Sequence, residues 1–143
     1  MLGAIDLRKH LFGIAVVLAC LVWIANATRP GPGDFPVREV DVSGAKELID
    51  AGALVVDVRG KPQFDHRHIP GAVLVTLDEL RAGIPARIAA EAKDRSILVY
   101  CNKGLAHGPE ATAILNKAGF ANAVNLRPGI EGWSAAGQAV KKS

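Results

Sequence analysis

The sequence predicts an α/β fold in which helices cover both faces of a mainly parallel sheet. Short runs rich in β-branched residues alternate with amphipathic stretches of helical length, and this order is typical of such a fold. Two of the runs, LVVDV at residues 54–58 and SILVY at residues 96–100, are almost continuously apolar, as strands buried on both faces are. We therefore expect one folded domain over residues 37–143.

The predicted elements follow one another in a regular order. REVDVS forms a first strand, after which Ser43 caps the helix GAKELIDA and Gly52 ends it. The strand LVVDV is followed by a turn-rich stretch to Gly71 and by the strand AVLVTL, and the helical stretch DELRAGIPARIAAEA divides at Pro85. The remaining elements are the strand SILVY, the helix GPEATAILNKA, the strand ANAVNL and the helix GIEGWSAAGQAV.

The first 27 residues are predicted to be a signal peptide or a transmembrane anchor. Arg8 and Lys9 precede the apolar run at residues 11–24, and the small-residue sequence ANA ends at Ala27. Positive residues before an apolar run hold the N-terminus in the cytoplasm, so we expect the domain outside it, in the periplasm or cell envelope. The segment is either cleaved, which the sequence favours, or retained as a membrane anchor over residues 11–27.

A Pro- and Gly-rich linker, TRPGPGDFP at residues 28–36, joins this segment to the domain. The chain carries 17 basic and 14 acidic residues. Cleavage after Ala27 would remove two basic residues and one acidic residue, and the remaining near balance argues against nucleic acid as a partner. It would also remove Cys20, so Cys101 would have no intramolecular disulfide partner.

Cys101 lies at the carboxyl end of the strand SILVY, where parallel α/β sheets bind their ligands. The next helix is predicted to begin at Gly108, with Pro109 in its first turn, so that its N-terminal N–H groups point into the loop. Gly104 lets the backbone curl so that successive amides face the sulfur, an arrangement that favours anionic groups there. Lys103 and His107 can add positive charge. The competing interpretation is that Cys101 is a small buried packing residue.

Three segments together resemble the rhodanese family. VVDVRGKPQFDHRHIPGAV resembles its N-terminal signature, VYCNKG its active-site strand and loop, and GFANAVNLRPGIEGW its closing strand and Gly-x-x-x-Trp helix. The resemblance covers residues 37–142, and the three motifs stand in the family's order. It implies a three-layer fold around a five-stranded parallel sheet.

The resemblance also implies a reaction. A cysteine takes a sulfane sulfur from a donor such as thiosulfate, becomes a persulfide and passes the sulfur to cyanide or a thiol, with no metal or organic cofactor. Cys101 would be the nucleophile. Asp57 and Arg59 would be a supporting pair at a strand end, for which a structural salt bridge is favoured over substrate contact. The persulfide would be held by the backbone amides of Asn102, Lys103, Gly104, Leu105, Ala106 and His107.

The loop departs from the usual pattern and leaves two alternatives open. Many sulfurtransferase loops read Cys-x-x-Gly-x-Arg-Ser, but Ala106 and His107 stand in the last two places here. Gly119 comes about one residue later than in the family, so an extra residue sits in the loop or at the helix start. In the loop, it would resemble the Cys-x5-Arg-Gly-Pro loop of rhodanese-like phosphatases and arsenate reductases, with His107 in place of the arginine that clamps an oxyanion. A non-catalytic rhodanese module that binds a partner or anion is the other alternative.

Two smaller signals concern histidine and aromatic residues. His66 and His68 alternate along one stretch, but two histidines without a third ligand are weak evidence of a metal site, and none is predicted. His68 falls in the His-Ile-Pro-Gly-Ala turn of the resemblance. Phe64 and Trp133 are interpreted as core residues.

Overall fold

The computed structural model describes residues 35–92 and 94–143. The predicted signal or anchor segment, residues 1–27, and all but the last two residues of the linker lie outside the described residues. Within the described ranges, no helix combines the length and the apolar character needed to cross a membrane.

Five strands form one fully parallel sheet in the order β1-β5-β4-β2-β3. The strands are β1 Glu39–Val40, β2 Leu54–Asp57, β3 Val73–Leu74, β4 Ile97–Tyr100 and β5 Ala123–Leu126. Asp57 pairs with Tyr100 in the register of β2 and β4. The residues that follow these two strands, Arg59 and Cys101 among them, therefore meet at the carboxyl edge of the sheet.

Helices cover both faces of the sheet, and the predicted α/β three-layer fold is confirmed. The helices are α1 Val42–Asp50, α2 Lys61–His66, α3 Leu77–Ala82, α4 Ala86–Glu91, α5 His107–Lys117 and α6 Gly129–Ala135. Because side chains alternate along a strand, Ile97 and Val99 of β4 pack in one core cluster with α5, whereas Leu98 and Tyr100 pack in the other with α6. The central strand is buried along its whole length.

Several element boundaries differ from the prediction. Ser43 is not the cap of the first helix, because α1 begins at Val42 and the Asp41 side chain accepts a hydrogen bond of 2.8 Å from the amide of Gly44. The strand predicted for AVLVTL is only Val73–Leu74, because the side chain of Thr76 already caps α3 by accepting from the amide of Glu79. The predicted division at Pro85 is confirmed, since it separates α3 from α4.

Candidate active site

Cys101 lies immediately after β4 and opens the loop 102–106 that leads into α5. The residue is 6% exposed, so its sulfur lies at the floor of a cleft and not on an open surface. The cleft has a volume of about 620 Å³ and is lined by residues from the ends of β2 and β4, from α3 and from the start of α5. Cys101 is thus both packed in the core and open to a ligand-sized space.

The amide of Gly104 donates a hydrogen bond of 3.2 Å to Sγ of Cys101. Gly104 has a φ of +69°, which L side chains rarely adopt. A Cβ at this position would lie 2.3 Å from the carbonyl oxygen of Leu126. Glycine is therefore required twice at this point of the loop, for its backbone conformation and for its close approach to β5.

The N-terminus of α6 holds the first two peptides of the loop. The amides of Ile130 and Glu131 donate to the carbonyl oxygens of Cys101 and Asn102, each at 3.0 Å. In a trans peptide the N–H points opposite to the carbonyl, and the described residues contain no cis peptide. The amides of Asn102 and Lys103 therefore point away from α6. Six amides were predicted to form the anion cradle, and two of them, those of Asn102 and Lys103, thus point away from α6. A third, the amide of Gly104, donates to the sulfur itself.

Arg59 ties the end of β2 to the same loop. Its Nε and Nη2 donate to the two carboxylate oxygens of Asp57 at 2.9 and 2.7 Å, and its Nη1 donates to Oδ1 of Asn102 at 3.3 Å. Burial lowers the pKa of Arg59, but the hydrogen bonds and the charge of Asp57 outweigh it, so the pKa is raised. The pair is thus a buried salt bridge that also positions the side chain of Asn102.

The rim of the cleft carries the remaining predicted loop residues. Lys103, Leu105 and His107 are exposed, and the exposed fraction of Leu105 is 49%. α5 begins at His107, one residue earlier than the predicted start at Gly108, because Ala106 already takes the N-cap position. The imidazole of His107 therefore belongs to the first turn of the helix, at the edge of the cleft.

Arg81, the second arginine that lines the cleft, is also paired with carboxylates. Nε and Nη2 of Arg81 donate to the two carboxylate oxygens of Glu110 at 2.8 and 3.0 Å, and Nη1 donates to Asp78 at 3.0 Å. The hydrogen bond that Arg81 donates to Glu110 is the largest cause that raises the pKa of Arg81. Both arginines that line the cleft, Arg59 and Arg81, are thus bound to protein carboxylates.

Sequence reasoning missed Asn125, which lies on β5 and is fully buried. Its Nδ2 donates to the carbonyl oxygen of Gly104 at 2.9 Å and to Oε1 of Glu39 at 3.1 Å. The signal in the sequence is a single amide within the buried run AVNL. A polar residue in the middle of a buried strand needs hydrogen-bond partners, and these partners come from the loop after Cys101 and from β1.

The two histidines before β3 do not share a site. His66 is exposed at the end of α2, whereas His68 is buried with its ring stacked on Phe64 at 4.1 Å between centroids. Nδ1 of His68 lies 2.9 Å from the carbonyl oxygen of Phe64. In the part of the chain that the structure describes, no three His, Cys, Asp or Glu side chains are grouped as metal ligands would be. Trp133 is buried, as predicted, whereas Phe64 is only partly buried and belongs to neither core cluster.

Comparison with known proteins places this chain in a family. The rhodanese-like domain family matches residues 41–136. A sulfurtransferase of Allochromatium vinosum is 32% identical over 100 residues, which cover 68% of this chain and 89% of the relative. The probable adenylyltransferase/sulfurtransferase MoeZ of Mycobacterium tuberculosis is 34% identical over 91 residues, which cover 62% of this chain but only 22% of that longer protein.

The solved structures agree with the sequence relatives. The solution structure of a rhodanese-like domain from Anabaena is 25% identical, with a TM-score of 0.62 over 73% of this chain and 79% of that domain. By its match to the family over residues 41–136 and by the likeness of its fold to a solved rhodanese-like domain, this chain belongs to the rhodanese-like domain family.

Proposed function

We propose that this protein is a sulfurtransferase that carries a sulfane sulfur as a persulfide on Cys101. The observation that carries the proposal is the position of the sulfur. Sγ lies at the carboxyl end of the central strand and accepts a hydrogen bond from the amide of Gly104. It faces a cleft at the start of α5. The proposal also draws on a relative that is itself named a sulfurtransferase.

The reaction is a double displacement. The Cys101 thiolate attacks the sulfane sulfur of thiosulfate, a new S–S bond forms, and the bond to the sulfite sulfur breaks so that sulfite leaves with the electron pair. Cyanide or a thiolate then attacks the outer sulfur of the persulfide. The Cys101 S–S bond breaks, thiocyanate or a new persulfide leaves, and the thiolate is restored.

The loop backbone is suited to bind the persulfide anion, the intermediate of this double displacement. The peptides after Cys101 and Asn102 are oriented by α6, so that their N–H groups are free to face a terminal sulfur on the other side. The N-terminal end of the 11-residue helix α5 adds the positive end of its dipole. Backbone donors recognise negative charge on sulfur without reading the rest of the donor, so the site supports the reaction but does not select thiosulfate over other sulfane donors.

Hydrolysis or reduction of an oxyanion, the competing function, has less support. A tetrahedral oxyanion is best held by a cationic group that donates two parallel hydrogen bonds. Arginine supplies such a group and histidine does not. Arg59 and Arg81, the two arginines of the cleft lining, are committed to Asp57 and Glu110. His107 offers a single exposed donor at the rim of the cleft.

The test is sulfur transfer from thiosulfate to cyanide by the purified full chain, measured as thiocyanate. Cys101→Ser is expected to abolish transfer, whereas Cys20→Ser, the substitution of the other cysteine, is expected to retain it. Equal activity in the wild type and in Cys101→Ser would contradict the proposal.

We also propose that residues 1–27 direct the domain across a membrane, so that sulfur transfer takes place outside the cytoplasm. The support is the sequence alone: two basic residues, an apolar run at residues 11–24 and the sequence ANA before Thr28. N-terminal sequencing of the protein isolated from cells tests cleavage after Ala27. Recovery of the intact N-terminus in the cytoplasmic fraction would contradict export.

A further inference from the structure

We propose that Asn125 is a positioning residue that holds Gly104 against the sulfur of Cys101. Its effect on sulfur transfer rests on the proposed function. Its effect on the reactivity of the thiol does not, because that depends only on the geometry of the loop.

Asn125 is fixed by the sheet itself. It is fully buried on β5, where it is paired in register with Val99 of β4 and with Glu39 of β1. Its Nδ2 donates to two acceptors, the carbonyl oxygen of Gly104 at 2.9 Å and Oε1 of Glu39 at 3.1 Å. If the side-chain amide were turned over, Oδ1 would face these two acceptors, and no hydrogen bond could form because Oδ1 only accepts. The side chain therefore has one favourable orientation.

The other end of the amide is unsatisfied. Oδ1 of Asn125 is buried and has no hydrogen-bond partner among the described residues. It lies against Gly108, where a Cβ would be 2.3 Å from Oδ1 and 3.4 Å from Sγ of Cys101. A buried acceptor without a partner costs stability, and an apolar side chain would avoid that cost. Packing alone does not explain an asparagine here, whereas its bond to Gly104 does.

Gly104 is held on both of its peptides. Its N–H, in the peptide with Lys103, donates to Sγ at 3.2 Å, and its carbonyl, in the peptide with Leu105, accepts from Asn125. Gly104, at a φ of +69°, has no side chain to restrain its backbone. The hydrogen bond from Asn125 to its carbonyl therefore limits rotation of the N–H that donates to Sγ. Without the amide of Asn125, the N–H of Gly104 loses its fixed direction toward the sulfur.

Glu39 completes the arrangement from the surface side. Its carboxylate accepts from Asn125 through Oε1 and from Nη1 of Arg127 through Oε2, at 3.1 and 3.2 Å. A hydrogen bond to an ionised acceptor is stronger than a neutral one, so Glu39 fixes the amide in place. A connected set of contacts therefore runs from β1 through β5 to the sulfur.

The test is the pH profile of Cys101 alkylation by iodoacetamide in the full chain, in a Cys20→Ser background so that only Cys101 reacts. Asn125→Ala is expected to displace the profile to higher pH and to slow alkylation at neutral pH about tenfold, because a donor to the thiolate is lost. Asn116→Ala is the matched control: Oδ1 of Asn116, on α5, is also buried without a partner among the described residues, but no hydrogen bond joins this side chain to the loop.

The outcomes separate this proposal from the proposed function. An unchanged alkylation profile in Asn125→Ala would overturn the positioning role, even if the wild type transfers sulfur. A displaced profile in a protein that transfers no sulfur would leave the positioning role intact and remove the function. If Asn125→Ala does not fold, as judged by thermal unfolding, Asn125→Ser replaces it, since serine is too short to reach both Gly104 and Glu39 and is expected to give the same displacement.

Discussion

The guanidinium group of Arg59 donates to both carboxylate oxygens of Asp57, and the two side chains are 4% and 0% exposed. Removal of one partner from a buried pair leaves the other charge without compensation. We expect Asp57→Asn and Arg59→Met each to lower the free energy of unfolding by about 3–5 kcal/mol. The double variant should lose less than the sum of the two, which denaturant unfolding of all four proteins will measure.

An exposed pair provides the control for this cycle. Lys61 and Asp65 are joined at 2.6 Å, but their side chains are 73% and 38% exposed. Lys61→Met should therefore cost no more than about 1 kcal/mol. If Asp57→Asn and Arg59→Met lower the free energy of unfolding no more than Lys61→Met does, the prediction that the buried pair is more important for stability is wrong.

Tyr100, the residue before the catalytic candidate, is the only tyrosine in the chain. Burial, followed by the negative charge of Asp57, raises the pKa of its phenol well above the ordinary value of 10.0. The stabilising effect of the neutral phenol is complete below pH 10 and is lost as the pH rises above it. Phenolate absorbance should therefore appear only as the protein unfolds in alkali. A phenolate transition near pH 10 in a protein whose near-ultraviolet dichroism is still native would contradict this prediction.

Gly129, at the start of α6, lies against the two peptides that follow Cys101. Its φ is +69°, and a Cβ would lie 2.4 Å from the carbonyl oxygen of Asn102. Gly129→Ala should therefore lower both stability and sulfur transfer, because the loop must move. Gly137 is the matched control, because its φ is +73° and a Cβ there would meet no atom within 4 Å.

Gly137→Ala should show only the cost of the left-handed conformation, about 1–2 kcal/mol, with activity retained. Thermal unfolding and the thiocyanate assay measure both properties of both variants. Equal losses in the two variants would mean that the contact between Gly129 and Asn102 does not shape the site.

His107 tests the competing oxyanion function. The wild type should not hydrolyse a generic aryl phosphate, because Arg59 and Arg81 are bound to carboxylates and His107 offers only one donor. We expect His107→Arg to be equally inactive toward the same substrate. Hydrolysis that rises on this substitution would instead favour the phosphatase-like alignment of the loop.

The central strands could be predicted from the sequence in both place and length, whereas the two edge strands were predicted in the right place but too long. Residues 54–57 and 97–100 are buried along their whole length, so their continuous apolar runs identify them. β1 and β3 have only two residues each, fewer than the four of β5 and β2 to which they are paired, and so short a strand has no periodicity that the sequence could show. The cap of α1 was predicted wrongly as Ser43, because aspartate and serine both cap helices well and only the backbone shows that Asp41 holds this position.

In the site, the local features were predictable and the long-range ones were not. Cys101 and Gly104 lie three residues apart, so the sequence alone brings them together. Asn125 and Glu39 meet across 86 residues because β5 lies between β1 and β4, and the run of elements along the chain does not give this strand order. The bond from Arg59 to Asn102 spans 43 residues in the same way.

The most direct test of the account is the intact mass of the reduced full chain after incubation with thiosulfate and removal of the excess. The wild type and Cys20→Ser should each gain the mass of about one sulfur atom, which cyanide then removes, and Cys101→Ser should gain none. A wild type that gains no mass, or a Cys101→Ser variant that gains as much as the wild type, would contradict a persulfide on Cys101.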